Sequence, residues 1–392
     1  MATPASELLT RAVTNVTPKK LAEEKLKSGK SIRVYFGIDP TGTKIHLGHS
    51  VPLRKMRAFQ DAGHQVSLII GSFTAMIGDP SGRDTLREAL SAEQVKKNFE
   101  TYIEQAKLLL NTEKLEIRYN HEWLEKIDAK KMMELASHYT VQQMLERDMF
   151  EKRIKDGNPI SVVEFLYPLL VGYDSVILDV DCELGGNDQY FNMLAGRTLQ
   201  KAYGKRDKFV LTTKLIEGTD GRKMSKSYEN CIYLTDAPNE MYGRLMTIRD
   251  DLIPTYMECC TDIPMKDVQE AEKAIKNGST NPKELKMRLA REIVTLYHGK
   301  DAAVHAEQQF ESVFKDKGVP DDVQEVSVKS GTSLIDVLVS EKIVSSKSEA
   351  RRLIEQNAVK KDDTVITRVD AKAEEGIYKV GKRKFLKIKK GK

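Results

Sequence analysis

Residues 31–70 constrain the fold more tightly than any other stretch of the chain. Ile32, Val34, Phe36 and Ile38 alternate as one face of a strand, and Asp39-Pro40-Thr41-Gly42 ends it. A helix is expected next, with Pro52 in its first turn, where a missing N–H costs little. Leu53, Met56 and Phe59 give it an apolar face, and Gly63 stops it. Residues 65–70 then form a near-continuous apolar strand. Strand, helix, strand in that order begins a parallel α/β sheet, which places ligands beyond the carboxyl ends of its strands.

Further along, Ser91 and Gln94 form a capping-box pair before a long helix whose buried stripe is Val95, Phe99, Ile103, Ala106 and Leu110. A strand at 115–119 and a charged helical region through Asp156 interrupt the sheet pattern and read as an insertion. Its methionines (Met132, Met133, Met144, Met149) suit core or subunit contact. The sheet is expected to resume with a strand at 176–180, a turn at Gly185-Gly186, a helix over 191–203 and a strand at 209–215. Asn281 before Pro282, with Glu284, opens another helix that Gly299 stops. Gly318-Val319-Pro320 reads as a linker. Beyond it, 332–357 reads as two short helices and 359–388 as short basic strands.

A chain of 392 residues suggests two or three domains. With 40% apolar and 31% charged residues, its composition argues against global disorder. No run approaches the roughly 18 apolar residues of a membrane span, and the first residues lack the apolar core of a secretory signal. Cys182, Cys231, Cys259 and Cys260 form no C-x-x-C pair, so reduced cysteines in a cytoplasmic protein are expected and no metal site is. The net charge of +5 is unevenly spread. Residues 331–392 hold 16 lysines and arginines against 9 acidic residues, a surplus of seven, which leaves a deficit of two in the first 330. A basic tail on a near-neutral body suits a polyanionic partner, or is a solvated lysine-rich end.

Two short elements carry the chemistry. His46 and His49, three residues apart at a helix opening, project from one face, and Gly48 between them leaves room for a nucleotide. Alone, the pair could equally be surface histidines; a zinc site lacks a third ligand nearby, and Lys44 falls one residue late for a P-loop. Lys223-Met224-Ser225-Lys226-Ser227, after Asp220-Gly221-Arg222, makes a basic loop whose Lys223 and Lys226 can meet a leaving pyrophosphate. A generic K-x-x-K would be an exposed basic turn; the full pentapeptide is more specific.

With those two elements the chain resembles the class I aminoacyl-tRNA synthetases, and more narrowly the bacterial-type tyrosyl-tRNA synthetases. The segments 35–49, Ile77-Gly78-Asp79-Pro80-Ser81-Gly82, 167–174, 185–189 and the lysine loop match in order. The resemblance implies a Rossmann-like parallel-sheet catalytic domain at 1–230 with a helical insertion at about 85–160, which would be the dimer interface. An all-α domain for the anticodon arm, with the lysine-loop extension, would follow at 231–320. A small α+β RNA-binding domain would occupy 331–392. It implies L-tyrosine, ATP with Mg²⁺ and tRNA(Tyr) as substrates, and a homodimer.

Residue roles follow the same resemblance. Tyr35 and Asp174 would meet the tyrosine hydroxyl, Asp79 and Tyr167 its amino group, and Gln189 its carboxylate end. Asp39, Gly186 and Asp188 would contact the ribose or the amino group, with Thr41, His46 and His49 on the phosphates. The tail resembles an S-four-like RNA-binding module through 346–354, Ala358-Val359-Lys360 and 380–384. Its Arg351, Arg352, Lys382, Arg383 and Lys384 would meet phosphates. Tryptophan activation by the same fold is disfavoured by Tyr35 and Asp174, since an indole has no hydroxyl. A noncatalytic RNA-binding regulator is disfavoured by the intact histidine and lysine elements.

One departure generates a prediction. Where the family usually carries glutamine, between Tyr167 and Asp174, this chain has Val171. A valine cannot pair a buried polar neighbour, a loss of roughly 1–3 kcal/mol. Val171→Gln is therefore expected to lower the tyrosine KM; an unchanged or higher KM contradicts that reading.

Overall fold

The computed structural model describes residues 5–40, 42–81, 90–146, 148–225, 228–315, 323–329, 331–362, 364–381 and 384–390. The chain forms two compact units, one of Met1–Ala237 with Arg244–Tyr297 and one of Pro238–Gly243 with His298–Lys392.

The first unit is built on six strands, β1 (Val13–Thr17), β2 (Arg33–Ile38), β3 (Gln65–Ile70), β4 (Leu115–Tyr119), β5 (Cys182–Gly186) and β6 (Phe209–Thr213). Their order across the sheet is β1-β6-β5-β2-β3-β4, and every pairing is parallel except β1 with β6. The chain steps outward from β2 through β3 to β4, then returns to the other side of β2 at β5. That reversal leaves a crevice at the carboxyl ends of β2 and β5. Helices Leu47–Asp61 and Tyr190–Ala202 pack on the sheet, and Val162–Leu178 packs on Tyr190–Ala202.

Several local expectations are corrected. No strand forms at 176–180: residues 176–178 end the helix Val162–Leu178, Asp179 caps it, and β5 begins at Cys182. The apolar run Val176-Ile177-Leu178 reads the same in a strand or a buried helix. The deciding signals lie at the helix ends, a Ser161–Glu164 capping box and Asp179 at φ 48°. Pro52 lies in the second turn of its helix, not the first, because His46 caps that helix. The strand β1 and the helix Lys19–Lys27 have no counterpart in the sequence reading.

The helices of 265–297 fall in the same compact unit as the sheet. The first of them, Met265–Lys276, packs on the helix Ile253–Cys260, which polar contacts tie to the sheet unit: Arg11 donates to the Glu258 and Thr261 carbonyls at 3.1 and 2.8 Å, and Arg54 pairs with Asp262.

The second unit holds a five-stranded sheet of β7 (Glu325–Val328), β8 (Val359–Lys361), β9 (Thr364–Val365), β10 (Gly376–Val380) and β11 (Lys384–Lys390), in the order β7-β11-β10-β8-β9. The helices Leu334–Ser340 and Lys347–Glu355 bury Leu334, Leu338 and Ile354 with Val359, Tyr378 and Leu386 of the strands. The linker expected at 318–320 lies outside the described residues.

Candidate active site

A cavity of about 620 Å³ opens at the carboxyl edge of β2, β3 and β5. Its inner wall is joined by one chain of hydrogen bonds. Asp174 accepts from the Trp123 indole at 2.7 Å and from the Asn120 amide at 3.3 Å. Asn120 also donates to Thr74 Oγ1 at 3.0 Å, Thr74 to Asp39 at 2.7 Å, and the Tyr167 phenol to the other Asp39 oxygen at 2.8 Å. Burial raises the Asp174 carboxyl well above the usual carboxylate range, although Trp123 and Asn120 pull the other way. Burial, reinforced by the Asp39 carboxylate, pushes the Tyr167 phenol up, so it stays a donor. Gly71 makes room for this arrangement, because a Cβ there would fall 1.8 Å from Asp39 Oδ1.

A third carboxylate is oriented nearby. Asp79 accepts from Gln189 Nε2 at 2.6 Å and from the Ser81 amide at 2.9 Å, while Asn192 donates to Gln189 Oε1 at 2.8 Å. Both oxygens of Asp79 are thereby aimed, and Val171 lies on the same wall.

At the mouth, the His46 and His49 rings stack with centroids 3.8 Å apart and planes at 21°. The two hold the helix start as cap and third residue of a capping box. A Cβ on Gly48 would meet the His46 ring at 3.0 Å. Across the opening, Lys223 Nζ sits 3.5 Å from Asp188. A Cβ on Gly186 would crowd that same Asp188 at 2.7 Å. Two histidine rings, Lys223 and Asp188 therefore line the mouth, and the carboxyls of Asp39, Asp79 and Asp174 the interior.

The histidine and lysine elements are physically tied. Leu47 donates to the Ile232 carbonyl at 2.9 Å and Leu234 to the Ile45 carbonyl at 3.0 Å, so the strand-like exit of the lysine loop pairs with the histidine element. Within the loop, Asn230 acts as a clamp. Its amide donates to Asp220 at 2.8 Å and to the Lys223 carbonyl at 3.1 Å, and its oxygen accepts the Ser225 amide at 2.8 Å. Asp220, bonded first by Asn230 and then by Arg222, is held at about 2.

The structure thus gathers Asp39, His46, Gly48, His49, Asp79, Tyr167, Asp174, Gly186, Asp188, Gln189 and Lys223 around one cavity. Tyr35 is not on its surface: the side chain is buried, and its hydroxyl lies 2.9 Å from Ser175 Oγ. Thr41 and Lys226 lie outside the described residues. In the second unit Arg351 and Arg352 are exposed on one helix, and Lys384 donates to the Ile343 carbonyl at 2.6 Å. Lys382 and Arg383 lie outside the described residues. Sequence reasoning missed Thr74, Asn120 and Trp123, which serve the site through partners distant in sequence, and Asn192 and Asn230, whose short bonds run mainly to near neighbours.

Comparison with known proteins gives the family. The family model described as tRNA synthetases class I (W and Y) matches residues 27–315, and that of the tyrosine–tRNA ligase SYY-like C-terminal domain matches residues 310–392. The chain is 46% identical to the tyrosine–tRNA ligase of Thermotoga maritima, over 98% of this chain and 97% of that one. It is 45% identical to the tyrosine–tRNA ligase of Carboxydothermus hydrogenoformans, over 97% of each. Among solved structures, a C-terminally truncated mitochondrial tyrosyl-tRNA synthetase of Aspergillus nidulans superposes with a TM-score of 0.65 at 24% identity, covering 79% of this chain and 92% of that one. The Archaeoglobus fulgidus tyrosyl-tRNA synthetase complexed with L-tyrosine gives 0.63 at 20% identity, covering 77% and 98%. The chain belongs to the tyrosine–tRNA ligases within the class I synthetase family.

The clamp generates a prediction. Asn230→Ala removes three hydrogen bonds that shape the lysine loop and none that face the aromatic end of the cavity. In pyrophosphate exchange, kcat is expected to fall about tenfold or more, with the tyrosine KM within about twofold of the parent. A KM change with kcat preserved contradicts the assignment.

Proposed function

We propose that this chain activates L-tyrosine with ATP to tyrosyl-adenylate and pyrophosphate, then transfers tyrosine to the 3′ end of tRNA(Tyr). The observation that carries the proposal is one cavity with an aimed carboxylate wall inside and a histidine–lysine mouth outside. Asp79 would take the ammonium of the amino acid, with Gln189 setting its orientation. Asp174, deep in the wall, would face the hydroxyl, and Asp39 with Asp188 would meet the ribose.

A tyrosine carboxylate is already a nucleophile, so attack on the α-phosphate needs no protein base. What the protein supplies is positioning and charge stabilisation. His46 and His49 would hold the phosphates at the helix start, and Lys223 and Lys226 the leaving pyrophosphate. Thr41 would join them. Mg²⁺ would enter with the phosphates of ATP as part of the substrate; among the described residues no group of three or more His, Cys, Asp or Glu is placed to hold a metal ion.

The tail, with Arg351, Arg352 and the 382–384 turn, would hold tRNA by its phosphates. The reading includes a homodimer and a cytoplasmic location. The large apolar residues Met133 and Val141 of the insertion, and Val162 and Val163 beside it, are exposed, which supports a subunit contact there.

The test is single-turnover adenylate formation. Lys226→Ala is expected to slow it by about 10²–10³-fold, the scale for losing one preorganised donor to a developing charge. A rate within a few-fold of the parent contradicts the role.

A further inference from the structure

Beneath the cavity lies a polar cluster that the proposed chemistry does not use. Lys208, just before β6, is fully buried and pairs with Glu183 of β5, whose side chain is 5% exposed. Lys208 Nζ also donates to Ser175 Oγ at 2.7 Å, Ser175 donates to Glu183 Oε2 at 3.2 Å, and the Tyr35 hydroxyl lies 2.9 Å from the same serine oxygen. Tyr35 and Glu183 are register partners on adjacent strands, and Glu183 and Asp174 both line the cavity. The helix Tyr190–Ala202 closes the cluster at Gly196, where a Cβ would fall 2.5 Å from Ser175 Oγ and 2.7 Å from Lys208 Nζ.

The cluster is closely tied. An ammonium only donates, and a carboxylate only accepts. Lys208 and Glu183 therefore bracket the Ser175 hydroxyl, and the Tyr35 hydroxyl is bonded to both Ser175 and Glu183. The Tyr35 ring belongs to one buried cluster with Ile69, Trp123 and Leu170. Trp123 is the same residue that donates to Asp174, so the Tyr35 ring and the Asp174 carboxyl share a wall.

We propose that Ser175, held by the buried Lys208–Glu183 pair, is a positioning residue: it fixes the buried Tyr35 behind the Trp123–Asp174 wall and so holds in place the Asp174 carboxyl that sets the preference for an aromatic ring carrying a hydroxyl. The inference rests on the tyrosine reading above and deepens it. A buried ion pair can also serve packing alone, so the test must separate the two roles.

The experiment is amino-acid-dependent ATP–pyrophosphate exchange on the full chain, with tyrosine and with phenylalanine, alongside thermal unfolding. Ser175→Ala is expected to raise the tyrosine KM about tenfold, the effect of one net hydrogen bond, and to lower the tyrosine-to-phenylalanine ratio of kcat/KM by a similar factor. The ATP KM should stay within about twofold. Lys208→Met alone leaves a buried carboxylate uncompensated and is expected to lose Tm sharply; the double variant Lys208→Met with Glu183→Gln is expected to regain Tm but keep the raised tyrosine KM. Should Ser175→Ala match the parent in tyrosine KM and selectivity, the inference is overturned. A double variant that regains both Tm and the parental tyrosine KM overturns it too, since the pair would then serve packing only. A parent with no tyrosine-dependent exchange overturns the tyrosine reading itself, and this inference with it.

Discussion

The Thr74–Asp39 hydrogen bond, 2.7 Å long and nested against Gly71, is the contact on which the inner wall depends. It joins the carboxyl end of β2 to the turn after β3. Through Asn120 it reaches Asp174 on the long helix, and through Asp39 it reaches Tyr167, two turns earlier on that helix. Two carboxylates on a largely buried wall are costly unless donors satisfy them, and here indole, amide, hydroxyl and phenol donors do so. The same donors aim each oxygen. Stability and selectivity therefore draw on one network, and a side chain lost from it should disturb both.

The mouth works differently. Its parts are a helix start, a stacked histidine pair and a loop held by its own turn geometry. Pairing of 45–47 with 232–234 fixes the exit of the lysine loop on the histidine element. A donor-satisfied interior with a basic loop at the mouth fits a reaction whose charge develops at the pyrophosphate.

Legibility in the sequence followed the range of the interactions. Alternation in β2 and the continuous apolar run of β3 gave the start of the sheet, since both signals are local. The short spacings of the histidine and lysine elements exposed the mouth for the same reason. Val176-Ile177-Leu178 misled because an apolar triplet suits a strand as well as a buried helix end. Asn120, Trp123 and Thr74 carried no local signal: each is ordinary by type and acquires its role from a partner about 35 to 54 positions away. Tyr35 was singled out, yet its hydroxyl meets Ser175, a residue with no distinguishing pattern.

The central claim is that a pre-built, hydrogen-bonded wall reads a phenolic hydroxyl before any chemistry occurs. Equilibrium dialysis of the protein against labelled L-tyrosine and L-phenylalanine, without ATP, tests it most directly. The account predicts saturable binding of tyrosine, with phenylalanine weaker by roughly a hundredfold, because a ring without the hydroxyl leaves buried polar groups unpaired. Equal affinity for the two amino acids would contradict it.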